Sequence, residues 1–468
     1  MNARIFPWLA LALGTALSAG CGKIDPITQP APQGGSANFS VYVATGTSVT
    51  AGQESGGLVD HHQRHGYSYL FAHQAGAMSF TYPSVSADGF PPLLQIRSLS
   101  PLVVDTLGRT RGTFTNYAQP TSYHDLGVPG SILFDLVDST NYYNPSLDPE
   151  RPNLFNEIVR HRGTILQQVI GLQPTFVSIE YGANEVLGPA TEGSGAALMN
   201  AQQFDLLLSG ALVALHNALP QTRLALFTVP DVTTIPFFTT FPPFTVSLAT
   251  GQPVSLIGPN GPLGPGDHVL LTAAGLIAAG NGIPVGGYNY VNPAQPGNGN
   301  PLPDQVVLDA GEAASIQTTT DGYNSSIRHD AAVAGAAVVD FNALLRQANS
   351  TGLRFQGTTY TTEYIKGGLF SLDGVHPTDL GYGFIANAMI DAVNATFGAH
   401  VPEVNLSEAA TATASRLAPA SRDGKFYPQI EGLEKLCPLR FAPMPATISM
   451  TKSPVARSSV TRSGRASP

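Results

Sequence analysis

The chain has 468 residues, a formal net charge of -9 and a pI of about 5.6. Only 12% of its residues are charged and 43% are hydrophobic, so a large core can form, and nucleic acid is not an expected partner because polyanions need clustered basic charge. With 49 glycines and 38 prolines it is rich in turns and long loops, and its length exceeds what one three-layer sandwich requires.

At the N-terminus Arg4 precedes the apolar run Ile5 to Leu13, which leads to Ala16-Leu17-Ser18-Ala19-Gly20-Cys21. Residues 1–21 read as a secretory signal, too short to span a bilayer. Ala19-Gly20-Cys21 resembles a bacterial lipoprotein cleavage box, with Cys21 as the lipid-bearing residue and the membrane as partner through that anchor. Ser18 stands where such boxes prefer Leu, so periplasmic location or plain secretion is the alternative. Residues 22–37, with Pro26, Pro30, Pro32 and Gly34-Gly35, read as a flexible tether. The only other cysteine is Cys437, and no intramolecular disulfide is expected.

The β-branched and aromatic stretch Phe39 to Ala44 reads as a buried parallel strand and runs into Gly46-Thr47-Ser48. Ser48 is thereby placed where a strand is expected to turn into a helix. It is a candidate nucleophile, which needs an adjacent base, or simply a helix cap. Asp60, His61, His62 and His65 follow, and His61 and His65 would share a face if helical. Nothing downstream completes a ligand set, so the cluster reads as solvated surface, and neither metal nor other cofactor is expected. Next come Asp125-Leu126-Gly127-Val128-Pro129-Gly130, and then the strand Thr175 to Glu180 followed by Gly182-Ala183-Asn184. The Gly130 N–H, the Asn184 amide and the Ser48 N–H are candidate donors to an oxyanion; as plain structure, the glycines permit turns and Asn184 caps.

Phe204, Leu207, Leu208, Ala211, Leu212, Leu215 and Leu219 form a helical stripe, and Leu224 to Val229 reads as the next strand. From about 230 to 335 the alternation breaks into an insertion. It opens with Phe237, Phe238, Phe241 and Phe244, which either pack on the sandwich or line an apolar groove beside Ser48 as a lid for acyl chains. Later it carries a helix with Ile316, Tyr323, Ile327 and Ala331. After the strand-like run Ala336 to Phe341 comes Ser371-Leu372-Asp373-Gly374-Val375-His376-Pro377-Thr378. One turn through Gly374 can bring Asp373 onto His376, fixing the imidazole tautomer and leaving its other nitrogen for Ser48. A helix beginning near Thr378-Asp379 carries Leu380, Phe384, Ile385, Ala388, Met389, Ala392, Val393 and Phe397. Residues 401–468 show no sustained periodicity and are expected to be a disordered tail.

Ser48, Gly130, Asn184 and His376, with Asp373 three residues before the histidine, resemble the four sequence blocks of the SGNH hydrolases, also called the GDSL esterase and lipase superfamily. Gly46 and Gly182 match the glycines that accompany the family serine and asparagine. One departure is Thr47, where the family usually has Asp between Gly and Ser. The resemblance implies an α/β, flavodoxin-like three-layer fold over residues 38–400 with a five-stranded parallel sheet and helices on both faces. Ligands of such sheets sit at the carboxyl edge, where all four blocks fall. It also implies a serine esterase or lipase acting on a small-molecule or lipid ester, with Ser48, His376 and Asp373 as triad and Ser48, Gly130 and Asn184 as oxyanion hole. A carbohydrate O-acetylesterase, an acyltransferase, and a surface lipoprotein that keeps the fold only for binding are the alternatives.

Overall fold

The structure, a computed structural model, describes residues 31–410 apart from 100, 101, 107 and 146–150, together with 428–430. The expected signal segment with Cys21, and most of the expected tail, lie outside the described residues.

Five strands form the central sheet: β1 (Tyr42–Gly46), β2 (Asp125–Gly127), β3 (Phe176–Glu180), β4 (Arg223–Phe227) and β5 (Ala337–Val339). Their order is β5-β4-β3-β1-β2, and every pairing is parallel. This is the doubly wound order, with β1 between strands that follow it in sequence on either side. The register sets Gly46 opposite both Gly127 and Glu180, so the ends of β1, β2 and β3 are level.

β1 and β3 are buried along their whole length, as expected of parallel strands covered on both faces. Alternate side chains feed two cores. Tyr42, Ala44, Phe176, Phe227 and Val339 pack with α1 (Tyr67–Gln74) and α7 (Asp379–Phe397). Val43, Val177, Ile179, Leu224 and Leu226 pack on the other face with α2 (Ile165–Gly171), α3 (Ala183–Thr191), α4 (Ala201–Ala218) and α5 (Ala310–Ala334). A further helix, α6 (Phe341–Ser350), follows β5.

Local chemistry sets the helix ends. The Asn200 side chain accepts from Gln203 N at the start of α4, Asp309 from Glu312 N at α5, and Thr378 from Gly381 N at α7. The stripe expected from Phe204 onward is α4, and Leu219 is its C-terminal cap.

Three boundaries differ from those read in the sequence. Residues 310–334, assigned to the insertion, are the crossover helix α5 that leads into β5, and Ile316, Tyr323, Ile327 and Ala331 form its buried stripe. The irregular part is thus shorter, because this 25-residue helix is rich in Ala, Ser and Thr and gives only a faint apolar pattern. Residues 401–410, expected as tail, continue the folded body: Val401 N and Val404 N donate to the side chains of Asn394 and Asn387 on α7, and Leu406 is buried. Likewise the end of the expected tether is fastened, with Ser36 N donating to Phe397 O and His400 N to Gln33 O.

Candidate active site

Ser48 lies directly beyond β1, in a turn rather than at the start of a helix. Ala51 N donates to Thr47 O and Gln53 N to Ser48 O. Gly52 then enters the left-handed region at φ +72, which a continuing helix cannot accommodate. The next helical residues are Asp60–Gln63. The expected helix N-terminus at Ser48 is therefore absent, and no helix dipole acts there.

Asp373 and His376 are held by the tight turn expected from their spacing. Gly374 takes φ +69, and a Cβ there would meet Leu271 Cδ2 at 2.9 Å and Phe237 N at 3.2 Å, so both backbone angle and space require glycine. His376 Nδ1 is 2.8 Å from Asp373 Oδ2, and His376 Nε2 is 2.8 Å from Ser48 Oγ. These contacts form one line from carboxylate to hydroxyl, and all three residues are buried.

The Asp373 carboxylate is well supplied with donors. Oδ1 accepts from Val375 N at 2.9 Å, His376 N at 2.9 Å and Ser371 Oγ at 3.1 Å, and Oδ2 accepts from Gly56 N at 2.7 Å. Burial alone would raise its pKa. The His376 ring and the backbone donors outweigh that effect and hold the carboxyl below its ordinary range, so it stays ionised at neutral pH.

The other two segments meet beside Ser48's turn. Val128 N and Ser131 Oγ both donate to Gly46 O, at 3.0 and 2.9 Å, which ties the loop containing Gly130 to the end of β1. Asn184, in the first turn of α3, donates through Nδ2 to Ser131 O at 2.8 Å. One amide hydrogen of Asn184 is thereby committed to the residue next to Gly130, which leaves a second amide hydrogen on the same nitrogen. The structure thus joins Ser48, His376 and Asp373 directly, and ties the segments that carry Gly130 and Asn184 to each other and to the end of β1.

Sequence reasoning missed Glu180. This last residue of β3 accepts through Oε2 from Thr47 N at 3.0 Å, Thr47 Oγ1 at 2.8 Å and Thr50 Oγ1 at 3.0 Å. Burial pushes its carboxyl up to about 7, against the lowering effect of the Thr47 and Thr50 bonds. Thr47 consequently supplies two donors to a buried acid, where a second carboxylate would have to share a proton with it. Glu185 and Asp125 are also raised by burial, to about 8 and about 7. The signal available in the sequence for Glu180 was a lone acid ending the strand-like run Thr175 to Glu180.

The four aromatics of the insertion divide. Phe237, Phe238 and Phe241 are buried in the core, and Phe244 is half exposed. Phe237 N donates to Gly374 O at 2.9 Å, so this segment braces the turn between Asp373 and His376. The expectation of a solvated Asp60–His65 cluster also needs correction. His62 is buried because its Nδ1 lies 2.8 Å from Asp379 Oδ1, a partner 317 residues away that local sequence cannot reveal.

The family model of the GDSL-like lipase/acylhydrolases matches residues 42–389, from the first residue of β1 to within α7, and takes in all of these site residues. Among solved structures the chain is similar to a GDSL-like lipase from Parabacteroides merdae, at 15% identity and TM-score 0.33, covering 78% of this chain and 99% of that one. It is similar to a phospholipase A1 from Streptomyces albidoflavus at 13% identity and TM-score 0.30, covering 76% and 98%. It is also similar to an acetyl xylan esterase at 14% identity and TM-score 0.30, covering 75% and 100%. No curated protein matches the sequence. The chain belongs to the GDSL-like lipase/acylhydrolase family, a family of ester-cleaving hydrolases.

Proposed function

We propose that the protein is a serine esterase or lipase that cleaves carboxylic esters with Ser48 as nucleophile. The observation that carries this reading is the unbroken line of 2.8 Å contacts from Asp373 through His376 to Ser48. As Ser48 Oγ attacks the ester carbonyl, its proton passes to His376 Nε2, and Asp373 accepts the Nδ1–H and stabilises the imidazolium. The negative charge that forms on the carbonyl oxygen is met by the N–H groups of Ser48 and Gly130 and by the second Asn184 amide hydrogen. His376 then gives its proton to the departing alkoxide, and water, activated in the same way, releases the acid from Ser48.

Hydrolysis of p-nitrophenyl acetate, butyrate, octanoate and palmitate by the wild type and by Ser48→Ala tests this reading. Ser48-dependent turnover supports it. Activity that rises with chain length assigns a lipase, and activity confined to acetate moves the assignment to a carbohydrate O-acetylesterase. Absence of Ser48-dependent hydrolysis of every ester refutes the hydrolase and points to acyl transfer or to a binding role. The buried state of three of the four insertion phenylalanines favours packing over a lid. Deleting residues 237–244 would therefore depress cleavage of short and long esters alike, because it removes the brace on Gly374.

A further inference from the structure

Glu54, His62 and Asp379 lie outside the Ser-His-Asp line and have no part in ester cleavage as described. We propose that they form a binding site for one divalent transition-metal ion of the zinc type, which clasps the segment after Ser48 to the start of α7. His62 Nδ1 is 2.8 Å from Asp379 Oδ1 and 3.2 Å from Glu54 Oε2, and the three donor atoms all lie within 4.8 Å of one another. All three residues are buried. An imidazole nitrogen with two carboxylate oxygens is a donor set that suits zinc and its first-row neighbours. Two ligand atoms about 2.1 Å from one cation at the tetrahedral angle stand about 3.4 Å apart, so the observed 2.8 and 3.2 Å would widen by a few tenths of an ångström on binding.

These separations are those of hydrogen bonds, and Glu54 also bonds Asp379, so a divalent ion would take the place of the protons that the three groups share. Access is provided as well. Glu54 and His62 line a cavity of about 340 Å³, together with His61 and Thr378, through which an ion and a water ligand can enter. Arg109, which also lines it, is offset by Asp88 at 3.6 Å. His65 Nδ1, 3.7 Å from Asp379 Oδ1, is engaged by His61 O at 2.7 Å and is an outer neighbour.

The position gives the site a structural purpose. The two residues after Glu54 are Ser55 and Gly56, whose N–H groups donate to Ser371 Oγ at 2.9 Å and to Asp373 Oδ2 at 2.7 Å. Asp379 lies three residues beyond His376. An ion held by Glu54 and Asp379 therefore joins the two chain segments that orient Asp373 and His376, without touching either residue.

The test is zinc uptake by the metal-stripped full chain in competition with a chromogenic chelator, a readout independent of esterase activity. We expect one tight equivalent for the wild type. Affinity should fall at least tenfold in Glu54→Gln and in His62→Ala, and should be unchanged in His73→Ala, which removes an exposed histidine of α1. Zinc should also raise the Tm of the wild type and leave that of Glu54→Gln unmoved; circular dichroism confirms that the variants are folded. Absence of a tight equivalent in the wild type, or uptake by folded Glu54→Gln equal to the wild type, overturns the proposal.

Discussion

Replacing Glu180 by Gln removes a buried acid whose ionisation opposes folding, and the structure fixes both the size and the pH window of the effect. Burial raises the Glu180 carboxyl from 4.5 to about 7, because the three donors from Thr47 and Thr50 do not fully replace water. The folded state thus holds a proton that the unfolded chain has already released. Its stabilising contribution is complete below pH 4.5 and is lost as pH rises through about 7. A rise of that size corresponds to a loss on the order of 3 kcal/mol at alkaline pH. The glutamine amide cannot ionise, so the variant lacks this loss. The assay is urea unfolding of both proteins at pH 5, 7 and 9. The stability of the wild type relative to Glu180→Gln should decline by about 2.5 kcal/mol between pH 5 and 9, with most of the change between pH 5 and 7 and little beyond. Asp125, also raised by burial, acts equally in both proteins and cancels in the difference, whereas Glu185, raised first by burial and in small part by the Glu180 charge, relaxes slightly in the variant. A difference that stays flat with pH, or a wild type that gains on the variant as pH rises, would mean that Glu180 is not held protonated in the fold.

Asn184→Ala removes an amide hydrogen available to the oxyanion and should lower kcat by about 10²–10³, measured on p-nitrophenyl butyrate, with a smaller effect on KM. Asp373→Asn leaves the turn in place but withdraws the charge that orients His376, and kcat should fall by about 10³–10⁴ in the same assay. Cys21→Ala should move the protein from the membrane fraction to the soluble exported fraction if the Ala19-Gly20-Cys21 box is read as a lipoprotein signal, and immunoblots of fractionated cells score this directly.

The sheet was legible because parallel strands buried on both faces give apolar runs, as in Phe39 to Ala44 and Leu224 to Val229. The turn at Asp373-Gly374-Val375-His376 was legible for a different reason: the bonds that close it, from Val375 N and His376 N to Asp373, lie within four consecutive residues, and distant partners such as Gly56 and Phe237 only brace it. The helix expected after Ser48 failed because the segment Val49 to Gly52 carries no apolar stripe and ends on a left-handed glycine, a conformation fixed by close packing of Gly52 against Gln63. Glu180 was missed, and His62 was read as solvated, for a common reason. The burial of each depends on partners from other parts of the chain, Thr47 for the first and Glu54 with Asp379 for the second. Those pairings exist only once the doubly wound topology brings the loops to one edge of the sheet. The helix α5 was placed in an insertion because Gly- and Pro-rich loops precede it and hide its role as a crossover.

Covalent trapping asks of the protein itself whether Ser48 is the nucleophile and whether His376 activates it. Wild type and the variants Ser48→Ala and His376→Ala are incubated with a p-nitrophenyl alkylphosphonate and then digested and examined by mass spectrometry. We expect a single stoichiometric phosphonyl adduct on Ser48 in the wild type, none in Ser48→Ala, and labelling slowed by at least about 10³ in His376→Ala. An adduct on any other residue, or labelling of Ser48 at the same rate without His376, would contradict this expectation.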